Sequence, residues 1–139
     1  MVLKISDIMN RDVFTLAPET SADEAAWALA VRGLGGAPVR DHSGRLVGVL
    51  CRTDLTDPAR RPFGRGARTV GELMTRALLT LRDSDLAMNA VRLMVREEVQ
   101  RIIVLDDDGE LCGIVTPHDV LDALIHGDAF DDSAGPTLH

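Results

Sequence analysis

The fold of this 139-residue chain is decided by the stretch Leu111-Cys112-Gly113-Ile114-Val115-Thr116-Pro117-His118-Asp119-Val120-Leu121. A short apolar run ends at Thr116, and Asp119 opens a segment with apolar residues at helical spacing. This pattern predicts a strand that leads directly into the N-terminus of a helix. The Thr116 hydroxyl and the Asp119 carboxylate can hydrogen-bond a polyol such as a ribose, and the positive end of the helix dipole favours an anion. A plain helix-capping role for Asp119 is the alternative.

The same form of sequence occurs twice. The first occurrence is Leu46-Val47-Gly48-Val49-Leu50-Cys51-Arg52-Thr53-Asp54-Leu55, and its glycine and aspartate lie 65 positions before Gly113 and Asp119. This spacing suits a repeated supersecondary unit. The same register, extended without gaps, aligns Met9 with Met74, Arg11 with Arg76, Thr15 with Thr80, Ala22 with Ala87, Asp41 with Asp106 and Gly44 with Gly109. We interpret the chain as an internal duplication.

Composition limits the classes of function. With 45% hydrophobic and 27% charged residues the chain fits one globular module, and since each half alone has a marginal core, the halves should fold together. A formal net charge of -7 argues against binding to DNA or to an anionic membrane. The sequence contains no apolar run of membrane-spanning length and no signal-peptide pattern, so we expect a soluble, cytoplasmic protein. Cys51 and Cys112 lack the spacing of a metal or redox pair and are interpreted as small buried apolar residues.

Each repeat is predicted to follow the order β-α-β-β-α, with a linker between the repeats and a tail after them. The predicted domains are residues 1–57, a linker at 58–68 that is rich in Pro, Gly and Arg, residues 69–126, and an acidic tail at 127–139 that we expect to be disordered. The predicted strands are 13–16, 37–40, 45–50, 77–81, 101–105 and 110–115. Helices are predicted to start at Thr20 or Ser21, at Asp54, at Asp85 as a cap, and at Asp119, the last ending near Gly127.

Three charged or metal-ligand-like groups have alternative interpretations. His118, Asp122 and His126 lie four residues apart and would suit a divalent metal only with a fourth ligand, so a solvated polar face is favoured. The acidic run 106–108 lacks the spacing of a calcium loop and is interpreted as a hairpin turn. The four arginines of the linker fit a nucleotide's phosphates, a partner's acidic patch or RNA, with a solvated linker favoured; they are Arg60, Arg61, Arg65 and Arg68.

With the register laid out, the chain resembles a tandem pair of cystathionine-β-synthase (CBS) domains, also called a Bateman module. The resemblance rests on Ile8-Met9 and Leu73-Met74 at the repeat starts, the run 33–39 before the first hairpin, the two Asp-to-Gly turns, and the two endings of the form Gly-apolar-apolar-x-x-x-Asp. It covers roughly residues 2 to 125. The implied fold class is α/β (α+β), with two β-α-β-β-α CBS repeats packed around a pseudo-twofold axis.

The resemblance also implies a ligand site. In this family, clefts between the repeats bind AMP, ADP, ATP or S-adenosylmethionine, and a Ser or Thr followed three residues later by Asp holds the ribose. Thr116 and Asp119 match that signature fully. The resemblance assigns Arg101 to the phosphates, with a solvated strand end as the alternative, and His118 to a phosphate or the ribose, with a water-facing helix start as the alternative. Backbone and side chains near Val13 and Gly35 are expected to contact the base.

The first repeat departs from the family pattern. Cys51 stands where the Ser or Thr belongs, and a thiol is a poor hydrogen-bonding group, so only Asp54 of the usual pair is kept. The residues assigned to this second cleft are Asp54, Cys51, Leu78 and Gln100, and its function is in doubt.

The predicted function is regulatory rather than enzymatic. No catalytic triad, P-loop, HExxH or GxGxxG motif is present in the sequence. The leading hypothesis is a sensor of an adenosine-containing nucleotide with no required cofactor or metal, acting as a homodimer that regulates a partner protein. Helices of the 20–31 and 85–95 type, or the short C-terminal ones, would form the dimer, with Trp27, Met88 and Met94 as contact residues. The alternative is a protein-interaction adaptor with vestigial clefts that docks an enzyme or transporter.

Overall fold

The structure is a computed structural model, and it describes residues 2–56 and 68–127. The predicted linker is therefore described only at Arg68 and the predicted tail only at Gly127; the predictions for the remainder lie outside the described residues. In chain order the elements are α1 (Ile5–Ile8), α2 (Ala22–Arg32), β1 (Gly36–Arg40), β2 (Leu46–Cys51), α3 (Arg52–Thr56), α4 (Val70–Leu73), β3 (Thr80–Arg82), α5 (Ala87–Glu97), β4 (Ile102–Leu105), β5 (Leu111–Val115) and α6 (Pro117–Ile125).

Two compact units make up the fold, and they do not coincide with the sequence repeats. Within the described residues, unit 1 contains 2–13 and 79–127, and unit 2 contains 14–56 and 68–78. In unit 1, Asn10 from the start of the chain forms an antiparallel bridge with Ile114 of β5. In unit 2, Thr75 forms the equivalent bridge with Val49 of β2. The opening segment of each repeat thus packs on the sheet of the other repeat, and a half-chain cut between the repeats would lack that segment.

The sheet of unit 1 has the order β3-β4-β5 among the described residues. β3 pairs with β4 in parallel, and β4 pairs with β5 as an antiparallel hairpin with an irregularity between Val104 and Leu105. A buried cluster lies between this sheet and helices α1, α5 and α6; its members are Ile5, Ile8, Met9, Ala87, Ala90, Met94, Ile102, Val104, Val115 and Ala123.

Unit 2 has the same plan with a shorter sheet. Its β1-β2 hairpin is two-stranded, and Leu16 adds an isolated parallel bridge to Val39. The segment 13–16, predicted as a strand, therefore contributes one bridge, because only Leu16 exchanges backbone hydrogen bonds with β1. The buried cluster of unit 2 consists of Leu16, Ala22, Ala25, Leu29, Ala37, Val39, Leu50, Leu55, Val70, Leu73 and Met74.

Helix boundaries follow the capping chemistry, and three predicted positions were wrong. α3 begins at Arg52 rather than at Asp54, which lies within the first turn and accepts from the Cys51 N–H at 2.8 Å. Ser21 caps α2 as predicted, because its hydroxyl accepts a hydrogen bond from the Glu24 N–H at 3.1 Å. Asp85 does not cap α5. Its carboxylate accepts from the Arg82 N–H at 2.8 Å, which closes the preceding turn, and Leu86 occupies the N-cap position. The last helix begins at Pro117 rather than at Asp119, since proline at the first helical position loses no helical hydrogen bond.

Each unit also has one close approach between a methionine and a strand glycine. A Cβ added at Gly113 would lie 2.5 Å from the Met9 sulfur, and one added at Gly48 would lie 2.6 Å from the Met74 sulfur. The glycines therefore allow the exchanged opening segments to pack directly against β5 and β2.

Candidate functional site

The candidate site lies in unit 1, at the junction between β5 and α6. Thr116 is the N-cap residue of α6, and Asp119 is the third residue of the helix. The Asp119 Oδ2 atom accepts two hydrogen bonds from Thr116, one from its backbone N–H at 2.8 Å and one from its hydroxyl at 3.1 Å. The two side chains are half-buried, so the arrangement is held in place while solvent still reaches it.

This arrangement presents hydrogen-bond acceptors. A carboxylate can only accept, so the Thr116 hydroxyl commits its one proton to Asp119 and offers lone pairs to a ligand. Within the part of the chain that the structure describes, no group donates to Asp119 Oδ1. Two acceptors side by side suit a ligand that brings two donors, such as the adjacent hydroxyls of a ribose. Asp119 thus makes the contact expected of a helix-capping residue through its Oδ2 atom. Its Oδ1 atom is still available to a ligand.

Arg101 immediately precedes β4, the strand that pairs with β5. Ile102 pairs with Val115, so the antiparallel register places Arg101, the residue before β4, opposite Thr116. Ile102 and Val115 face the buried cluster of unit 1. Because side chains alternate along a strand, Arg101 and Thr116 belong to the opposite face of the sheet. Arg101 is half-buried and already interacts within the protein.

The equivalent junction in unit 2 has the same backbone hydrogen bond to an aspartate, but it lacks the threonine hydroxyl and the arginine. The Cys51 N–H donates to Asp54 Oδ2 at 2.8 Å, the same bond and length as between Thr116 and Asp119. The position equivalent to Thr116 carries the thiol of Cys51 in place of the hydroxyl. The residue paired with Cys51 is Gly36, so the position of Arg101 carries no side chain in unit 2. The exposed Arg52, which follows Cys51, is a cation without an equivalent in unit 1, where Pro117 stands.

The remaining predicted site residues are divided between the units. His118 is exposed in the first turn of α6, and Val13 is half-buried in unit 1, whereas Gly35 belongs to unit 2. Gly35 uses its carbonyl to accept from the Arg52 N–H at 2.8 Å. Leu78 is half-buried in unit 2, and Gln100 is exposed in unit 1. Contacts of these residues with a ligand stay predictions.

The side chains considered above for metal binding and the two cysteines lie within the described residues. In residues 2–56 and 68–127, no three His, Cys, Asp or Glu side chains come together as a metal site. His126 Nδ1 instead lies 2.8 Å from the Asp122 carbonyl oxygen. Neither cysteine forms a disulfide, and both are half-buried, less buried than predicted. Burial raises the pKa of Cys112, and the carboxylates of Asp83 and Asp106 raise it further, which disfavours the reactive thiolate at neutral pH.

Sequence reasoning missed an open groove of about 1090 Å³ in unit 2. It lies beside α4, and of the candidate ligand-contact residues only Arg68, one of the linker arginines, lines it. Its lining is Pro18, Glu19, Val47, Arg68, Thr69, Gly71, Glu72, Met74, Thr75, Arg76 and Ala77. The sequence carries no motif for it, because the groove depends on α4 packing against the Pro18 turn, where the Gly71 N–H donates to the Pro18 carbonyl at 2.8 Å.

No helix within the described residues is both long enough and apolar enough to cross a membrane.

Comparison with known proteins agrees with this description. The CBSX2 protein from Arabidopsis thaliana, solved in complex with AMP, superposes with a TM-score of 0.79 and 31% identity over 89% of this chain and 97% of that one. The CBS domain pair of protein MJ0100, solved with 5′-methylthioadenosine and S-adenosylmethionine, superposes with a TM-score of 0.78 and 25% identity, covering 91% and 98% of the two chains.

Relatives by sequence include enzymes that are much longer. The inosine-5′-monophosphate dehydrogenase of Thermoplasma acidophilum is 28% identical over 131 residues, which is 94% of this chain and 26% of the enzyme. The chain spans 26% to 38% of the length of three curated relatives, two of them inosine-5′-monophosphate dehydrogenases and one an uncharacterised protein. The family profile of the CBS domain matches twice, at residues 5–58 and 70–126. The duplicated sequence, the two units and these matches lead to one conclusion: the chain belongs to the CBS domain family and contains two CBS domains in tandem.

Proposed function

We propose that the chain is a regulatory module that binds an adenosine-containing nucleotide at Thr116 and Asp119. The observation that carries the proposal is the hydrogen-bonding state of the pair, which leaves Asp119 Oδ1 and the lone pairs of Thr116 as neighbouring acceptors. A ribose 2′,3′-diol supplies the two matching donors. Structural relatives with AMP and with S-adenosylmethionine support this class of ligand. A binding module without catalytic groups acts by having different affinities for two conformations.

Within this class we favour a phosphorylated ligand such as AMP, ADP or ATP. The β4–β5 register, extended by one residue beyond Ile102 and Val115, would place Arg101 opposite Thr116, and a guanidinium binds phosphate oxygens with two directed hydrogen bonds. Val13 and Gly35 remain the predicted contacts of the base, and His118 a predicted contact of the phosphate or ribose. Substitution Arg101→Gln should weaken AMP binding more than adenosine binding, measured by calorimetry. Equal losses for both ligands would assign Arg101 to the fold rather than to the phosphate.

The central experiment compares two matched variants. We expect AMP, ADP, ATP or S-adenosylmethionine, at about 100 times its Kd, to stabilise the wild type by roughly 2.7 kcal/mol, which is a rise of several degrees in Tm. Asp119→Ala should abolish the rise. Asp54→Ala removes the same backbone contact, also at 2.8 Å, and so controls for the structural cost. A ligand-induced rise that survives in Asp119→Ala, or that is lost equally in both variants, would contradict the site.

Self-association is also part of the proposal. The exposed large apolar side chains lie on three helices: Trp27 and Val31 on α2, Val95 on α5, and Leu121, Leu124 and Ile125 on α6. These helices include those predicted to form a homodimer, although Met94 is buried in unit 1 and Met88 packs against the same cluster, so neither is a ready contact residue. Sedimentation that shows a monomer at micromolar concentration would contradict the dimer.

A second candidate function is a protein-interaction adaptor. Trp27 is 67% exposed, which is unusual for a tryptophan and typical of residues that anchor protein partners. The loss of the hydroxyl at Cys51 agrees with a site in unit 2 that no longer holds a nucleotide. Absence of a Tm rise with all four nucleotides in the wild type would favour this function over the first.

A further inference from the structure

The groove of unit 2 is lined by two arginines whose guanidinium groups make few contacts within the protein. The Arg68 Nε atom is buried, and no hydrogen-bond acceptor reaches it among the described residues. Its ion-pair partner, Glu72 Oε2, is 3.7 Å away, which is too long for a hydrogen bond. Arg76 donates only to the Gly71 carbonyl, at 3.5 Å. Buried N–H groups are nearly always hydrogen-bonded, so the Arg68 donor points to a group that binds from the groove.

Two carboxylates also line the groove, and one of them is already bound by the protein. Glu72 Oε1 accepts hydrogen bonds from the Thr69 N–H at 2.8 Å and from its hydroxyl at 3.2 Å, and Oε2 is the atom that faces Arg68. The other carboxylate belongs to Glu19, which is exposed to solvent. Within the described residues Arg76 forms no ion pair. Its charge is therefore available to an anion that enters the groove.

The equivalent positions of unit 1 provide a reference within the same chain. The 65-residue register aligns Arg68 with Leu3, Ala77 with Asp12 and Pro18 with Asp83. Over the eleven lining positions, the groove has two arginines and two glutamates, whereas the unit 1 counterparts are Lys4 and Arg11 with Asp7, Asp12 and Asp83. Arg11, the counterpart of Arg76, also donates to the Ser6 carbonyl at a shorter 2.9 Å. Unit 2 is therefore less acidic here, and its arginine is held less tightly.

We propose that the groove of unit 2 binds a small molecule through an oxyanion, a phosphate or carboxylate group, held by Arg68 and Arg76. A guanidinium offers several N–H donors in a plane that matches the oxygens of either group. The groove of about 1090 Å³ is much larger than one such group, so the rest of the ligand lies against the apolar side chains of Val47 and Met74, which also line it. All of these residues belong to unit 2, whereas the proposed nucleotide site lies in unit 1.

Titration of the full chain with inorganic pyrophosphate, followed by NMR, tests the site without a ribose. We expect saturable shifts of the Gly71 and Arg76 amides. The double variant Arg68→Gln/Arg76→Gln should raise the pyrophosphate Kd by about tenfold or more, as expected for lost charge-assisted hydrogen bonds. Arg11→Gln is the matched control in unit 1, because it removes the same charge and the carbonyl contact at 2.9 Å, and it should leave this Kd unchanged. Shifts confined to unit 1, or equal losses in the two variants, would overturn the proposal.

A second variant separates binding from a purely structural role of the arginines. Glu72→Gln keeps an acceptor for the Thr69 N–H, since glutamine also serves in a capping box, but it removes the negative charge beside Arg68. Pyrophosphate should then bind roughly threefold more tightly, the effect of removing one like charge near the surface. Unchanged or weaker binding would overturn the proposal.

A parallel titration with citrate distinguishes the two sources of the oxyanion. A lower Kd for pyrophosphate identifies a phosphate ligand, and a lower Kd for citrate identifies a carboxylate ligand. Absence of saturable shifts in the groove with both anions would overturn the proposal.

Discussion

The junctions that follow β5 in unit 1 and β2 in unit 2 have the same backbone geometry and different side-chain chemistry. In both, an aspartate three residues into the junction accepts a backbone hydrogen bond of 2.8 Å. Unit 1 adds the Thr116 hydroxyl, whereas unit 2 has the Cys51 thiol in its place. The shared hydrogen bond stabilises the first turn of the helix that follows each strand. The two junctions therefore share one backbone contact and differ in a hydroxyl that donates to the aspartate in unit 1.

The largest expected effect concerns the close packing that the two units share. Gly48→Ala should destabilise the fold by about 1–3 kcal/mol through overpacking, because its Cβ would lie 2.9 Å from the rigid Thr75 carbonyl as well as against Met74. Gly113→Ala should cost less, since its nearest backbone atom, the Asn10 carbonyl oxygen, is 3.2 Å away. Urea unfolding of both variants checks the order. A greater loss for Gly113→Ala would show that the sulfur contacts, not the backbone contacts, decide the cost.

Restoring the hydroxyl in unit 2 tests whether this group stabilises the junction. Cys51→Thr replaces a thiol, a weak hydrogen-bond donor, by a hydroxyl that can donate to Asp54 as the Thr116 hydroxyl donates to Asp119 at 3.1 Å. A partly buried bond of this kind is expected to add about 0.5–1.5 kcal/mol, which thermal unfolding would register as a rise of a few degrees. Thr116→Cys is the reciprocal variant and should lose a similar amount. No change in either variant would mean that the hydroxyl has no structural role.

The ends of α2 and α5 form another matched pair. Gly33 and Glu98 both take the left-handed conformation, with φ of 67° and 54°, but only glycine adopts it without steric cost. Glu98→Gly should therefore stabilise the protein by roughly 0.5–1 kcal/mol, and Gly33→Ala should destabilise it by a similar amount. No atom lies within 4 Å of a Cβ added at Gly33, so its cost would be purely conformational. Chemical denaturation of both variants measures the pair.

The smallest expected effect concerns the hairpin turns. Hydrogen bonds from the Ser43 hydroxyl and the Arg45 N–H lower the pKa of Asp41 below its ordinary value. The folded state then favours the carboxylate, so the contribution of Asp41 is present above the ordinary pKa and is lost as pH falls through the lowered value. Asp41→Asn should flatten the acid side of the stability profile slightly. Carboxyl titration by NMR checks the direction, and an ordinary pKa for Asp41 would contradict it.

Much of the site followed from local chemistry. Gly-apolar runs, turn residues and the Ser21 cap are short-range signals, and the 65-residue register identifies Thr116 and Asp119 from residue type and spacing alone. Asp85 was predicted to cap α5, but its carboxylate accepts from the Arg82 N–H three residues before it and so closes the preceding turn. The segment 13–16 was predicted as a strand but forms only one bridge. The β propensity of a segment does not determine whether a neighbouring strand pairs with it.

The sequence by itself determined the duplication, the class of fold and the chemical character of the two junctions, since these depend on residue type and spacing. Tertiary structure alone decided that the opening segments change places between the repeats, because the bridges of Asn10 to Ile114 and Thr75 to Val49 join residues far apart in the chain. It also decided that α6 leaves Leu121, Leu124 and Ile125 exposed. Helical periodicity indicates which residues share a face, but which face is covered depends on the elements that pack against it.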